Sequence, residues 1–228
     1  RLLPDFPRAL LERRPRPFPG RDRALGNAAY PLQLFGRRFE GCGSEAGHLT
    51  ELGANAIYLT PIFEATSNHK YDTIDYTRID PHFGDESTLV ELVQQAHRRG
   101  IRIMLDGVFN HCGFYFRQFQ DVLRHGEASP YKDWFHIHSF PVTLDPPNFD
   151  GFGIGPGMPK LNTQNPEVKE YLLGAVAKWT RTGIDGWRLD VSDEVDSDFW
   201  RDFRRTVKGI NPEAVIIGEN WWDAEPWL

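Results

Sequence analysis

Alternation of short apolar segments with amphipathic helical ones sets the tightest limit on what this chain can fold into. Ala56–Leu59, residues 101–105, Gly186–Leu189 and Val215–Gly218 read as strands. Residues 85–99 read as a helix. Asp85 or Ser87 can cap it, Leu89, Leu92, Val93 and Ala96 keep helical spacing, and Gly100 ends it. Residues 166–181 read as a second helix, with Pro166 at its first position and Leu172, Leu173, Val176 and Trp179 on its apolar side. A third covers 197–208. Strands joined by crossover helices imply a parallel sheet, hence an α/β fold.

Polar and acidic residues follow the C-terminal ends of these strands: Asp106, Asp190, Glu219 and the Tyr71-Asp72 loop. In a (β/α) barrel that end is the active-site face. In a doubly wound open sheet it is also the ligand edge. No Gly-rich phosphate loop follows the first strand, which makes a nucleotide-binding fold the weaker reading.

The chain divides into residues 1–108, the first part of a barrel, residues 109–165, and residues 166–228, where the alternation resumes through a fifth strand. The middle stretch is rich in Phe, Trp, His, Pro and Gly and is too long for an ordinary connection, so it reads as an inserted subdomain. Before Ala56 the signals are weaker. Residues 2–6 suggest a strand, Pro15, Pro17, Pro19 and Gly20 mark a long loop, and residues 44–53 suggest a short helix stopped by Gly53. Residues 63–84 read as a polar, aromatic loop.

Charge and composition narrow the function. The 228 residues carry a net charge of −6, and no basic run dominates, so neither nucleic acid nor an anionic membrane has electrostatic support as a partner. The basic stretch 8–23 is interleaved with proline and reads as a solvated loop. No apolar run reaches the ~18 residues of a bilayer span, and no signal peptide is visible. Cys42 and Cys112 have no metal-ligand spacing, and so sparse a cysteine use fits a reducing compartment, the cytoplasm.

The chemistry centres on Gly186 to Val191. Arg188 and Asp190, two apart on a strand, point to one face, so the guanidinium is expected to hold the carboxylate ionised near neutral pH. From this segment alone a structural ion pair reads equally well. Glu219 ends the next strand, before Trp221 and Trp222, whose apolar surface is expected to raise its pKa. Two carboxylates ~5–5.5 Å apart suit glycoside cleavage with retention through a covalent glycosyl intermediate. Tyr71, Trp134, Phe135 and Trp221 suit stacking on sugar faces, although any one of them reads as readily as core.

Asp106-Gly-Val-Phe-Asn-His111, Gly186-Trp-Arg-Leu-Asp190 and Gly218-Glu-Asn-Trp221 resemble, in order, three of the four short regions of the alpha-amylase superfamily. Met158-Pro-Lys-Leu-Asn162 is similar to a further motif of its neopullulanase, cyclomaltodextrinase and maltogenic amylase subgroup, as are Asn68 to Thr73, Pro81 to Gly84 and Tyr131 to Phe135. The resemblance runs from about Tyr58 to Leu228. It implies a (β/α)8 TIM barrel, represented here by about its first five strands. The implied activity is that of a retaining hydrolase or transglycosylase on α-glucans such as maltodextrins, cyclodextrins and pullulan, with no organic cofactor. Residue by residue, Asp190 is implied as nucleophile and Glu219 as general acid/base. Arg188 orients the nucleophile, and Asp106 supports the site by pairing with Arg188. His111 hydrogen-bonds the sugar before the scissile bond, Tyr71 stacks on that sugar, and Trp221 lines the subsites beyond. Ser192-Asp-Glu194 helps set acceptor preference.

The sequence also departs from the family pattern. The fourth region, a His-Asp pair carrying the third essential carboxylate, does not occur in these 228 residues, nor do strands six to eight. Both ends look cut, and the alternative reading is a truncated or non-catalytic carbohydrate-binding relic. The subgroup's N-terminal sandwich domain has no counterpart, which leaves the oligomeric state open. Phe35-Gly-Arg-Arg38 puts arginine where the subgroup's calcium loop needs oxygen ligands, so no metal is expected there. Asn220 and Asp193 resemble changes at specificity positions.

Overall fold

A computed structural model describes residues 53–153 and 155–223. The expectations at residues 2–6, 15–20, 35–38 and 44–52 lie outside the described residues. Four strands, β1 (Ala56–Leu59), β4 (Arg102–Gly107), β5 (Gly186–Leu189) and β6 (Val215–Gly218), form one sheet in the order β1-β4-β5-β6. Every neighbouring pair is parallel. Each strand lies beside the one before it in this sheet, so the order never reverses as it does in a doubly wound fold. Sequential order with right-handed crossovers is the winding of a barrel and puts the helices on one face.

Those helices are α1 (Glu86–His97), α3 (Pro166–Thr180) and α4 (Ser197–Ile210). The Asp85 carboxylate accepts from the Thr88 N–H, and the Thr88 hydroxyl returns to the Asp85 N–H, a reciprocal cap at the start of α1. Asn165 caps α3 ahead of Pro166, and Asp196 caps α4. Leu89, Leu92, Val93 and Ala96 are buried, as are Val168, Leu172, Ala175, Val176 and Trp179. Leu173, expected among the apolar face of α3, is only partly buried.

Period-two alternation sorts each strand between two environments. Ile103, Leu105, Trp187 and Leu189 are buried in the core. The intervening positions Tyr58, Met104, Asp106, Arg188 and Ile217 share the opposite face. β1 therefore differs from the buried strand expected at Ala56–Leu59, because Tyr58 is 44% exposed and only Leu59 is fully covered. Asp106 lies inside β4 rather than after it, since the strand continues to Gly107.

Residues 63–84 are not simply a loop. β2 (Phe63–Ala65) and β3 (Thr73–Ile79) pair antiparallel with two shifts of register. Tyr76 anchors this hairpin. It is fully buried, its hydroxyl donates to the His111 carbonyl at 2.7 Å, and its own carbonyl accepts from Trp179 Nε1 at 2.7 Å. Residues 109–165 form α2 (Arg117–His125), two short 3-10 turns and isolated bridges, including His111 with Lys160 and Phe135 with Leu161. Phe119 of this stretch meets Phe135 and Phe149, each at 5.0 Å between ring centres.

Candidate active site

Strand register brings the candidate residues together. Asp106 and Arg188 are cross-strand partners in β4 and β5. Arg188 Nη1 lies 2.8 Å from Asp106 Oδ1 and 2.8 Å from Asp190 Oδ1. Its Nη2 lies 2.6 Å from Glu219 Oε2. One guanidinium thus holds three carboxylates, each at the C-terminal end of a different strand. The planar fork of arginine allows this where a single ammonium would not.

Asp106 is 1% exposed and has further donors. Tyr71 Oη donates to its Oδ2 at 3.0 Å, and the Tyr58 hydroxyl donates to the same oxygen. Burial and the charge of Asp106 raise the pKa of both phenols, so both remain donors. Burial also pushes the Asp106 carboxyl above the usual range, against the pull of Arg188 and the tyrosines. Burial opposes the charge on Arg188, but Asp106 and its other anionic neighbours outweigh it and keep the group a cation.

Asp190 departs from expectation. Burial and the neighbouring charge of Asp106, with Glu219 adding, push its carboxyl up to about 7 despite Arg188. The expected ionised Arg188–Asp190 pair ignored the sharing. Three carboxylates around one positive charge leave an excess of two negative charges in a low-dielectric setting, and a proton relieves it.

Glu219 is tied from several sides. Its Oε2 accepts from the Val191 N–H at 3.1 Å, and its carbonyl accepts from the Ser192 N–H at 3.0 Å. Val191 adopts φ 39° and ψ 53°, a left-handed conformation rare for a β-branched residue. The expected apolar cover from tryptophan is thin, because Trp221 is 48% and Trp222 79% exposed.

The remaining candidates lie beside this cluster. Tyr71 is half-buried at the tip of the β2–β3 hairpin, with its ring stacked on His69 at 6.0 Å. His111 is fully buried, stacked on Phe152 at 4.7 Å with the rings nearly parallel. Burial lowers its pKa to about 4, so it is neutral at physiological pH. Asn110 Nδ2 lies 3.3 Å from His111 Nδ1, while His111 Nε2 and Asn110 Oδ1 have no hydrogen-bond partner. Trp134 is buried with its Nε1 on Glu167, and Phe135 is core, so neither is a sugar platform in this state. Sequence reasoning missed Tyr58, which also faces Arg188 at 5.9 Å, and, although it singled out Ser192, the grip of Val191 and Ser192 on Glu219. Period-two alternation through Ala56–Leu59 was the available signal for Tyr58. Among the described residues, no group of three or more His, Cys, Asp or Glu could hold a metal ion.

A sequentially wound parallel sheet with arginine-linked carboxylates at the C-terminal ends of its strands is the architecture of part of a (β/α)-barrel domain. Residues 38–228 match the alpha amylase catalytic domain family, and the chain belongs to that family. It is 57% identical over 196 residues to the intracellular maltogenic amylase of Bacillus subtilis (strain 168), covering 86% of this chain and 33% of that protein. It is 55% identical over 197 residues to neopullulanase 2 of Thermoactinomyces vulgaris, covering 86% and 34%. A solved cyclomaltodextrinase structure superposes with a TM-score of 0.78 at 57% identity, over 81% of this chain and 32% of that one. The chain spans about a third of the length of the curated relatives it matches. The neopullulanase, cyclomaltodextrinase and maltogenic amylase likeness read from the motifs is thus found in the relatives themselves.

Proposed function

We propose that this protein is a retaining glycoside hydrolase or transglycosylase acting on α-glucans, including maltodextrins, cyclodextrins and pullulan. The observation that carries the reading is the attachment of Asp190 and Glu219 to the two terminal nitrogens of one guanidinium. Two carboxyl groups tied to one guanidinium suit the short spacing of retaining enzymes, about 5–5.5 Å, which leaves no room for the separate attacking water of an inverting enzyme.

Asp190 in its carboxylate form, which a carboxyl pushed up to about 7 still populates at neutral pH, attacks the anomeric carbon while Glu219 donates its proton to the departing glycosidic oxygen. The C–O bond breaks with its electron pair going to the leaving group, and a glycosyl ester forms on Asp190. Glu219, now a carboxylate, then takes a proton from water or from an acceptor sugar hydroxyl. That oxygen displaces Asp190 and restores the configuration. Arg188 fixes the attacking oxygen, and Asp106, itself held by Tyr58 and Tyr71, fixes Arg188.

Tyr71 offers its ring to the sugar before the scissile bond, and His111 offers that sugar a hydrogen bond through its unpartnered Nε2. Trp221 lines the far side of the cleavage point. Residues 109–165 act as the subdomain that closes this side of the cleft. No metal or organic cofactor takes part, and neither nucleic acid nor membrane is a partner. No helix among the described residues is long and apolar enough to cross a membrane. A cytoplasmic location fits the sparse cysteines and the intracellular relative.

The test is the stereochemistry of the product. With maltotriose and the intact protein, proton NMR is expected to record the α-anomer first. A 5-fluoro-α-glycosyl fluoride is expected to label the peptide containing Asp190. A β-anomer product, or a label on another carboxylate, would overturn the assignment.

A further inference from the structure

Ser192 touches neither arginine nor the two carboxyl groups assigned to bond cleavage, yet it is nearly buried and has an unusual set of contacts. Its N–H donates to the Glu219 carbonyl at 3.0 Å. Its Oγ lies 2.9 Å from that same carbonyl and 2.9 Å from Asn220 Oδ1, so one hydroxyl proton is shared between two acceptors. The residue before it, Val191, sends its N–H to the Glu219 carboxylate at 3.1 Å. Two consecutive residues therefore grip Glu219 by main chain and side chain at once. The left-handed conformation of Val191 is what aims both N–H groups at one residue. Gly218 completes the arrangement, because a Cβ there would stand 2.6 Å from Ser192 Oγ and 3.3 Å from Ser192 Cβ. The close approach of the two loops requires glycine at 218.

We infer that Ser192 is a positioning residue that sets Glu219 for proton transfer, with Gly218 providing the space for its hydroxyl and Asn220 sharing its proton. The inference rests on the reading of Glu219 as the general acid/base. Acid catalysis depends on sub-ångström placement of the proton donor, so loosening this bracket costs rate rather than binding. The loss is selective. A glycoside with a poor leaving group needs the proton from Glu219, whereas one with an activated aryl leaving group departs without much help.

The experiment compares maltotriose with 2,4-dinitrophenyl α-maltoside on the intact protein and its Ser192→Ala variant. The expected result is a fall in kcat of about tenfold or more on maltotriose, a change within about twofold on the activated glycoside, and KM little altered on both. Equal loss on both substrates, or no loss on either, would overturn the inference. Glu219→Ala serves as the reference. It is expected to show the same selectivity in stronger form, and an unselective Glu219→Ala would instead overturn the assignment of Glu219 itself.

Gly218→Ala, which leaves Ser192 in place and presses on its hydroxyl, gives an independent arm should Ser192→Ala fold poorly, and a double-mutant cycle extends it when both fold. Gly218→Ala is expected to damage turnover of maltotriose in the parent protein and to cost several-fold less when Ser192 Oγ is already gone. Additive effects in that cycle would count against a contact between these two positions.

Discussion

Asp106 and Arg188 stand opposite each other in the parallel β4–β5 ladder, and their side chains meet at 2.8 Å. Register, a main-chain property, therefore fixes the arginine before the side chain of Asp190 or Glu219 is placed. Arg188 then divides its terminal nitrogens, Nη1 to Asp106 and Asp190, Nη2 to Glu219. Arg188→Lys keeps the charge and loses the fork. The variant is expected to lose kcat by about a hundredfold or more and to be destabilised by about 2–3 kcal/mol, because partners on a buried ion-pair network are left unsatisfied. Steady-state kinetics and urea unfolding check both. Near-normal turnover in the lysine variant would show that charge alone suffices.

Asp190→Asn is expected to abolish turnover and, in the same step, to stabilise the fold. The carboxyl is pushed from 3.8 up to about 7 in the folded state. Between these values the unfolded chain gives up the proton that the folded chain retains, so stability from this group is full below about pH 4 and is lost as pH rises through about 7. Asparagine has no such dependence. The gain is expected to be near zero at pH 4 and to level off above pH 7 at about 2–4 kcal/mol. Thermal unfolding of both forms across pH 4–8 measures it. A gain that shrinks as pH rises would mean that Asp190 is ionised when folded.

Lys70 and Asp80 form a second buried pair, 2.6 Å apart with 7% and 3% of their side-chain surfaces exposed. Lys70 takes φ 65° and directly precedes Tyr71. The pair thus pins a bent main chain at the point where the hairpin presents its aromatic ring. Lys70→Met is expected to cost about 2 kcal/mol or more, since Asp80 loses the lysine and keeps only His82 and the main-chain N–H groups of Ala65 and His82. KM for maltotriose is expected to rise as Tyr71 loses its anchor. Lys70→Met with Asp80→Asn is expected to regain part of the stability. Equal stability of the single and double variants would indicate that the pair is not coupled.

Much of this arrangement is legible in the sequence, and the rest fails for identifiable reasons. The strands at Gly186–Leu189 and Val215–Gly218 have the bounds that apolar runs and turn residues suggest, although only the first is largely buried and the second, at the end of the described sheet, leaves Val215 and Ile217 exposed. β3 was hidden because Thr73, Tyr76 and Ile79 are its buried positions, a spacing that a bulged strand produces and simple alternation does not. Tyr58 reads as one more apolar strand residue until register sets it opposite Met104, on the face that carries Asp106, where its hydroxyl reaches that carboxylate. The charge state of Asp190 was misjudged for a similar reason. Two residues on one strand can be paired from sequence, but the other claims on Arg188 come from β4 and from the end of β6, and only the sheet brings them there.

The two tyrosines on Asp106 provide a direct measure of how that sheet face shares its load. Tyr58 and Tyr71 come from different elements, and both donate to Oδ2 of a carboxylate that is 1% exposed. With either hydroxyl removed, the other donor and Arg188 still serve the buried group. Tyr58→Phe and Tyr71→Phe are therefore each expected to cost about 1 kcal/mol. With both removed, Oδ2 keeps only Arg188 Nη1, at 3.0 Å, and that nitrogen already serves Asp190. The double variant is expected to exceed the sum of the single costs by about 0.5–1 kcal/mol. Its pH dependence follows from the same loss, because the charge of Arg188 and, after it, hydrogen bonds that include those of the two tyrosines oppose the rise that burial imposes on the Asp106 pKa. Without the tyrosine hydrogen bonds the group takes up a proton more readily when folded, so the extra cost is expected to be larger at pH 8 than at pH 5. Urea unfolding of the four proteins at both pH values decides the matter. Simple additivity at pH 8 would mean that the two hydroxyls do not act on the same carboxylate.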